Sequence, residues 1–171
     1  MASLIENLIS NLEEESSLYD ALIKESMDKT PAIVSNDLNR LSEANAREQK
    51  IVDDITAVAG RREAAMKEIA TVLGKDANTI TVSEIIQTME KQPEFQHPLI
   101  VVKDRMLKQV EELRQISAHN QELLQTSLEM TEYSINLIQS MNQAPETANY
   151  SGTGYSGTTL GNGRSAFDAK Q

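Results

Sequence analysis

The chain has 171 residues, enough for one domain with a modest core, and a composition that is 39% hydrophobic, 25% charged and only 4% aromatic, with no Trp and seven Met. That mixture favours helices packed through aliphatic stripes and counts against an aromatic-rich sandwich or barrel. The formal net charge of −10 disfavours nucleic acid and anionic membrane surfaces as partners, because both are held by Lys and Arg clusters, and the absence of Cys excludes disulfides, thiolate metal sites and a Cys nucleophile.

From Ser3 to about Lys29, Ile5, Leu8, Leu12, Tyr19 and Leu22 recur at spacings of three and four, interrupted by Glu15, and trace one face of a helix. Thr30-Pro31 predicts a stop there, since proline disfavours a helical residue before it and is well placed at the first turn of a new helix. A second stripe (Val34, Leu38, Leu41, Val52, Ile55, Met66, Ile69 and Leu73 among its members) then predicts a helix of about forty residues, roughly 60 Å long. Gly74 is its expected C-cap. Asn45, Glu48 and Arg62 fall on polar positions within this stripe, as Asn120 does in the next; a core-facing polar residue needs a partner, and fixing the register between helices is favoured over a binding role. Glu48 and Arg62 are too far apart to pair within one helix, so each is expected to reach another helix or solvent.

Residues 75–80 read as a loop, and Thr81-Val82-Ser83-Glu84 as a capping box opening a short helix through about Glu90. Two prolines in Gln92-Pro93-Glu94-Phe95-Gln96-His97-Pro98 predict a turn or irregular connection. A third long stripe starts at Leu99 and runs through Val102, Met106, Leu113, Ile116 and Leu123 to Met141, while a parallel row (Leu107, Val110, Leu124, Leu128, Ile135, Ile138) widens it. So broad a stripe suits a helix packed between two others, or one that meets a partner along its C-terminal half.

After Asn142 the composition changes: five of the seven glycines fall in the last 29 residues among Ser, Thr and Asn, with no apolar period. Such a segment cannot bury enough surface to offset the entropy of ordering, so residues 143–171 are expected to be disordered in isolation. It nevertheless holds three of the six aromatics, Tyr150, Tyr155 and Phe167, the pattern of a segment that folds on binding. The fold class expected is all-α: an elongated antiparallel bundle or coiled coil of three long helices plus a short connecting helix over residues 1–142, followed by a flexible tail.

A catalytic constellation is hard to assemble from these residues. The glycines follow no phosphate-binding spacing. His119 stands three residues before Glu122, the reverse of the Glu-x-x-His order of di-metal bundles, and occurs once; His97 sits in the proline segment. Glu13-Glu14-Glu15 and Asp53-Asp54 are adjacent on helices and point about 100° apart, so they cannot converge on one atom. Neither an enzyme, a cofactor nor a metal is expected. The N-terminus shows no basic segment ahead of an apolar run, and no stretch approaches the roughly 18 apolar residues that span a bilayer, so a soluble cytoplasmic protein is expected.

The chain resembles the FlgN-type flagellar export chaperones over nearly its whole length. The first helix is similar through Leu8, Leu12, Glu15, Leu18, Tyr19 and Leu22. The second is similar through Leu41, Glu48-Gln49-Lys50-Ile51, Arg61-Arg62, Ile69-Ala70 and Leu73-Gly74, and the third through Asn120 and Leu123-Leu124. The tail adds Tyr150-Ser151-Gly152-Thr153-Gly154, Gly163-Arg164 and Phe167-Asp168-Ala169-Lys170. The resemblance implies a cytoplasmic chaperone that binds hook-filament junction (hook-associated) proteins and delivers them to the export gate. By motif position, Tyr150 would dock to the gate protein's cytoplasmic domain, with Tyr155 as second choice, and the C-terminal region, including Phe167, would hold cargo. Leu124, Leu128, Ile135 and Ile138 are the expected apolar contacts to a cargo helix. The rival expectations are a coiled-coil adaptor that oligomerises through its stripes, a phosphotransfer bundle using His119, and a chaperone for another flagellar export substrate.

Overall fold

The computed structural model describes residues 2–143, which form four helices: α1 (Ala2–Val34), α2 (Leu38–Leu73), α3 (Val82–Thr88) and α4 (Pro93–Gln143). No strand occurs among them, and the all-α expectation holds.

The long helices run up, down and up. Glu15 pairs with Arg62 and Glu25 with Arg47, so residue numbers rise on α1 as they fall on α2, and the pair is antiparallel. Ser16 meets Gln109 and Ser26 meets Asn120 at sequence separations of 93 and 94, a constant offset that makes α1 and α4 parallel. The central helix is α1, which packs along both α2 and α4. Of the two arrangements that the broad α4 stripe suits, packing between two helices therefore belongs to α1, and α4 is left with uncovered surface.

The apolar core is concentrated at one end. Ile5, Leu8 and Leu12 of α1 meet Met66, Ile69 and Ala70 of α2 and Leu99 and Val102 of α4, and α3 closes the end with Ile85 flanked by Ile80 and Met89. Each fully buried aliphatic side chain here contributes about 1.5–3 kcal/mol relative to exposure. Helix α3 is placed by the expected capping box: the Thr81 hydroxyl accepts from the Glu84 N–H, and the Glu84 carboxylate accepts from the Thr81 N–H. Gly74, at φ 65°, ends α2 as expected, with the Lys75 N–H reaching back to the Ala70 carbonyl.

Two proline boundaries differ from expectation. Pro31 lies inside α1, whose last turn continues because it buries Ala32 and Ile33; one lost backbone hydrogen bond is outweighed by that packing. The actual reversal is at Ser35-Asn36-Asp37. Asn36 takes the left-handed conformation (φ 53°), the Asp37 N–H reaches the Ala32 carbonyl, and the Asp37 side chain caps α2 by accepting from the Arg40 N–H. Helix α4 likewise begins at Pro93 rather than after Pro98. Pro93 sits in the first turn, where its missing N–H costs nothing, and the helix passes through Pro98 because Leu99 and Val102 beyond it are fully buried.

Candidate functional site: the uncovered end of α4

Polar contacts between the long helices set how far α4 runs beyond α1. The Gln109 side-chain amide donates to the Ser16 carbonyl (3.0 Å) and to Asp20 (2.6 Å), while the Ser16 hydroxyl donates to its Oε1 (2.9 Å). Further along, Asn120 donates to the Ser26 carbonyl (2.8 Å) and accepts from the Thr30 hydroxyl (2.7 Å). Glu48 accepts from both Ser26 and Lys29 at 2.7 Å, and Arg62 donates at 2.8 Å to Glu15, whose side chain is only 3% exposed. Sliding any helix by a turn would strand these buried groups, which is how polar residues fix register.

Glu48, Arg62 and Asn120 thus play the register role expected of them, and all three meet α1. Asn45 does not join them; it is exposed. The Tyr19 hydroxyl, close to the Glu15–Arg62 pair, is pushed above its ordinary pKa by burial first and by the Glu15 charge second, against the opposing pull of Arg62. Ser16 and Gln109 were invisible as a site from composition. Their signal was a gap in the stripe, for Gln109 stands three residues after Met106 and four before Leu113.

With this register, α1 ends at Val34 while α4 continues to Gln143. Leu124 is half-buried where the bundle ends. Beyond it the apolar side chains stand in the open: Leu128 is 65% exposed, Ile135 50%, Ile138 57% and Met141 69%. Residues 128–143 make an overhang of about 24 Å. Between Gln115 and Gln143 the helix carries Glu122, Glu129 and Glu132 and no Lys or Arg.

Of the sequence-predicted contacts, Leu124, Leu128, Ile135 and Ile138 therefore fall on one helix, on and just before this overhang. Tyr150, Tyr155 and Phe167 lie outside the described residues, as does the expected tail beyond Gln143. His97 and His119 are both exposed on α4. The second apolar row is also uncovered within the bundle, where Leu107 flanks a cavity of about 250 Å³ whose floor includes Leu12, Tyr19 and Met106.

The family model of the FlgN protein matches residues 1–156. The chain belongs to the FlgN family. It is accordingly a flagellar export chaperone, from a family of chaperones rather than of enzymes. Four residues that carry the resemblance, Glu15, Glu48, Arg62 and Asn120, are among those that tie α1 of this FlgN-family bundle to α2 and α4. No curated protein and no solved structure matches the chain. No helix of the described residues is long and apolar enough to cross a membrane.

Proposed function

We propose that this FlgN-family chaperone binds hook-filament junction proteins in the cytoplasm, covers an apolar helical segment of the cargo with the uncovered end of α4, and hands the cargo to the export gate. The observation that carries the reading is the overhang: Leu128, Ile135 and Ile138 are exposed on a helix whose own bundle, among the described residues, does not cover them. An apolar surface of this kind marks an interaction site, and an apolar helix face is the natural complement to a helix that would otherwise self-associate. Leu124, Leu128, Ile135 and Ile138 supply the first contacts. Phe167 and the segment around it add a second contact to cargo, and Tyr150 docks to the cytoplasmic domain of the gate protein.

Two truncation-scale experiments separate these tasks. A chain ending at Asn142 should retain cargo binding through α4 but with lower affinity; unchanged affinity removes the tail from the grip. Tyr150→Ala should weaken gate docking in a pull-down and leave cargo binding intact, and equal loss of both contradicts the division.

A further inference from the structure

The face of α4 that packs on α1 does not stop where α1 stops. Leu99, Val102, Gln109 and Asn120 face α1, and the same three-and-four spacing continues through Ser127, Thr131, Ser134 and Ile138. At about 100° per residue, Leu128 and Ile135 lie to one side of this row and Met130, Leu137 and Met141 to the other. The overhang is therefore a shallow trough over Ser127, Thr131 and Ser134, with Ile138 at its far end, between two apolar ridges.

Two of the trough's three hydroxyls make no polar demand on what fills it. The Thr131 hydroxyl donates to the Ser127 carbonyl and the Ser134 hydroxyl to the Met130 carbonyl, each at 2.9 Å, so both are satisfied within the helix. An apolar side chain can lie over Thr131 and Ser134 without stranding a donor.

One end of the trough is closed by the α1–α2 turn. The offset of 93 that pairs Ser16 with Gln109 puts Val34 level with Ser127, and Val34 and Leu38 flank this turn at 65% and 75% exposure. The carbonyls of Pro31, Ala32 and Ile33 are already taken by N–H groups of the turn.

We propose that the cargo segment is an amphipathic α-helix of about four turns seated on α4 as the continuation of α1, with one end against Val34 and Leu38 and with Lys or Arg along the flank nearest Glu132. The length is that of the overhang at 1.5 Å per residue. The basic flank follows from Glu132, which borders the Leu128–Ile135 ridge, on a stretch of α4 that carries Glu122 and Glu129 besides and no Lys or Arg. A second copy of this chain would bring the same charges together, which favours a different partner. This inference rests on the function proposed above and adds the seat and charge of the bound helix.

The test uses the full chain and a purified hook-filament junction protein, with affinity read by calorimetry and folding by circular dichroism. Val34→Asp/Leu38→Asp should weaken binding about tenfold or more with an unchanged melting curve, as should Leu128→Asp/Ile135→Asp. Glu132→Lys should weaken binding at low salt and remove the weakening that added salt causes in the native chain. A photo-crosslinker at Leu38 or Ser134 should capture the cargo, and one at Leu107 should not. If the overhang variant loses binding while the turn variant binds like the native chain, the seat is wrong and the chaperone reading stands. If neither variant changes binding, both fall. Charge reversal that leaves binding unchanged or tightens it overturns the basic flank. A stable dimer that the overhang substitutions break and cargo does not displace makes the occupant a second copy and overturns the proposal.

Discussion

Helix α4 before Leu124 and helix α4 after it are written in the same three-and-four spacing, yet Leu99 and Val102 are fully buried while Leu128 and Ile138 stand 65% and 57% exposed. The difference lies in what is opposite. The first half has α1 across from it, held in register by Gln109 and Asn120; the second half has no helix across from it among the described residues. A stripe therefore specifies a face that seeks a partner, and the lengths of neighbouring helices decide whether that partner comes from the same chain.

The contrast can be broken most forcefully by truncating one side chain in each half. Leu99→Ala should cost about 2–5 kcal/mol and lower Tm by on the order of 10 °C, because it opens a cavity in the closed end of the bundle. Ile135→Ala should leave stability within about 0.5 kcal/mol of the native value. Comparable Tm losses would mean that the overhang is covered in the native chain.

The middle of the bundle should respond through its polar ties. Glu15→Ala leaves the largely buried Arg62 guanidinium without its carboxylate and should cost about 2–3 kcal/mol in denaturant unfolding. Replacing both partners, as Glu15→Leu/Arg62→Met, should recover most of that loss; if the double variant is as unstable as the single one, the pair contributes more than satisfaction of its own charges.

The smallest effect belongs to the cap of α3. Thr81→Ala should lower Tm by about 2–4 °C. Hydrogen bonds from the Thr81 N–H and hydroxyl hold the Glu84 carboxyl below its ordinary value of 4.5, so its contribution is present above that pH and is lost as pH falls through the lowered value. Native chain and Glu84→Gln should converge in stability on acidification, and a gap that widens below pH 4.5 would contradict the capping role.

Much of the fold is legible in the sequence where one physical cause acts alone. Gly74 needs a left-handed conformation to end α2, Thr81 and Glu84 satisfy each other, and Glu48, Arg62 and Asn120 interrupt stripes in a way that demands a partner. Legibility fails where two causes compete. Pro31 and Pro98 read locally as boundaries, but the burial of Ala32, Ile33 and Leu99 beyond them outweighs one missing hydrogen bond each, and the α1–α2 reversal moves to Ser35-Asn36-Asp37, a cluster of turn and cap residues that the proline overshadowed. The central place of α1 was illegible for another reason, since periodicity reports how wide a face is and not which helix lies against it. The apolar excess of α4 was visible as a second row; that its C-terminal half overhangs the bundle depends on register, which is set by Ser16–Gln109 and Ser26–Asn120 pairs 93 and 94 residues apart.

The most direct test of the account is to titrate a purified hook-filament junction protein into the full chain and into its Leu128→Asp/Ile135→Asp/Ile138→Asp variant, with both melting curves recorded. Cargo affinity should fall by about tenfold or more while Tm stays within a degree or two, because the described residues leave these side chains exposed. Undiminished binding by a normally folded variant would contradict the claim that the uncovered end of α4 is where this chaperone grips its cargo.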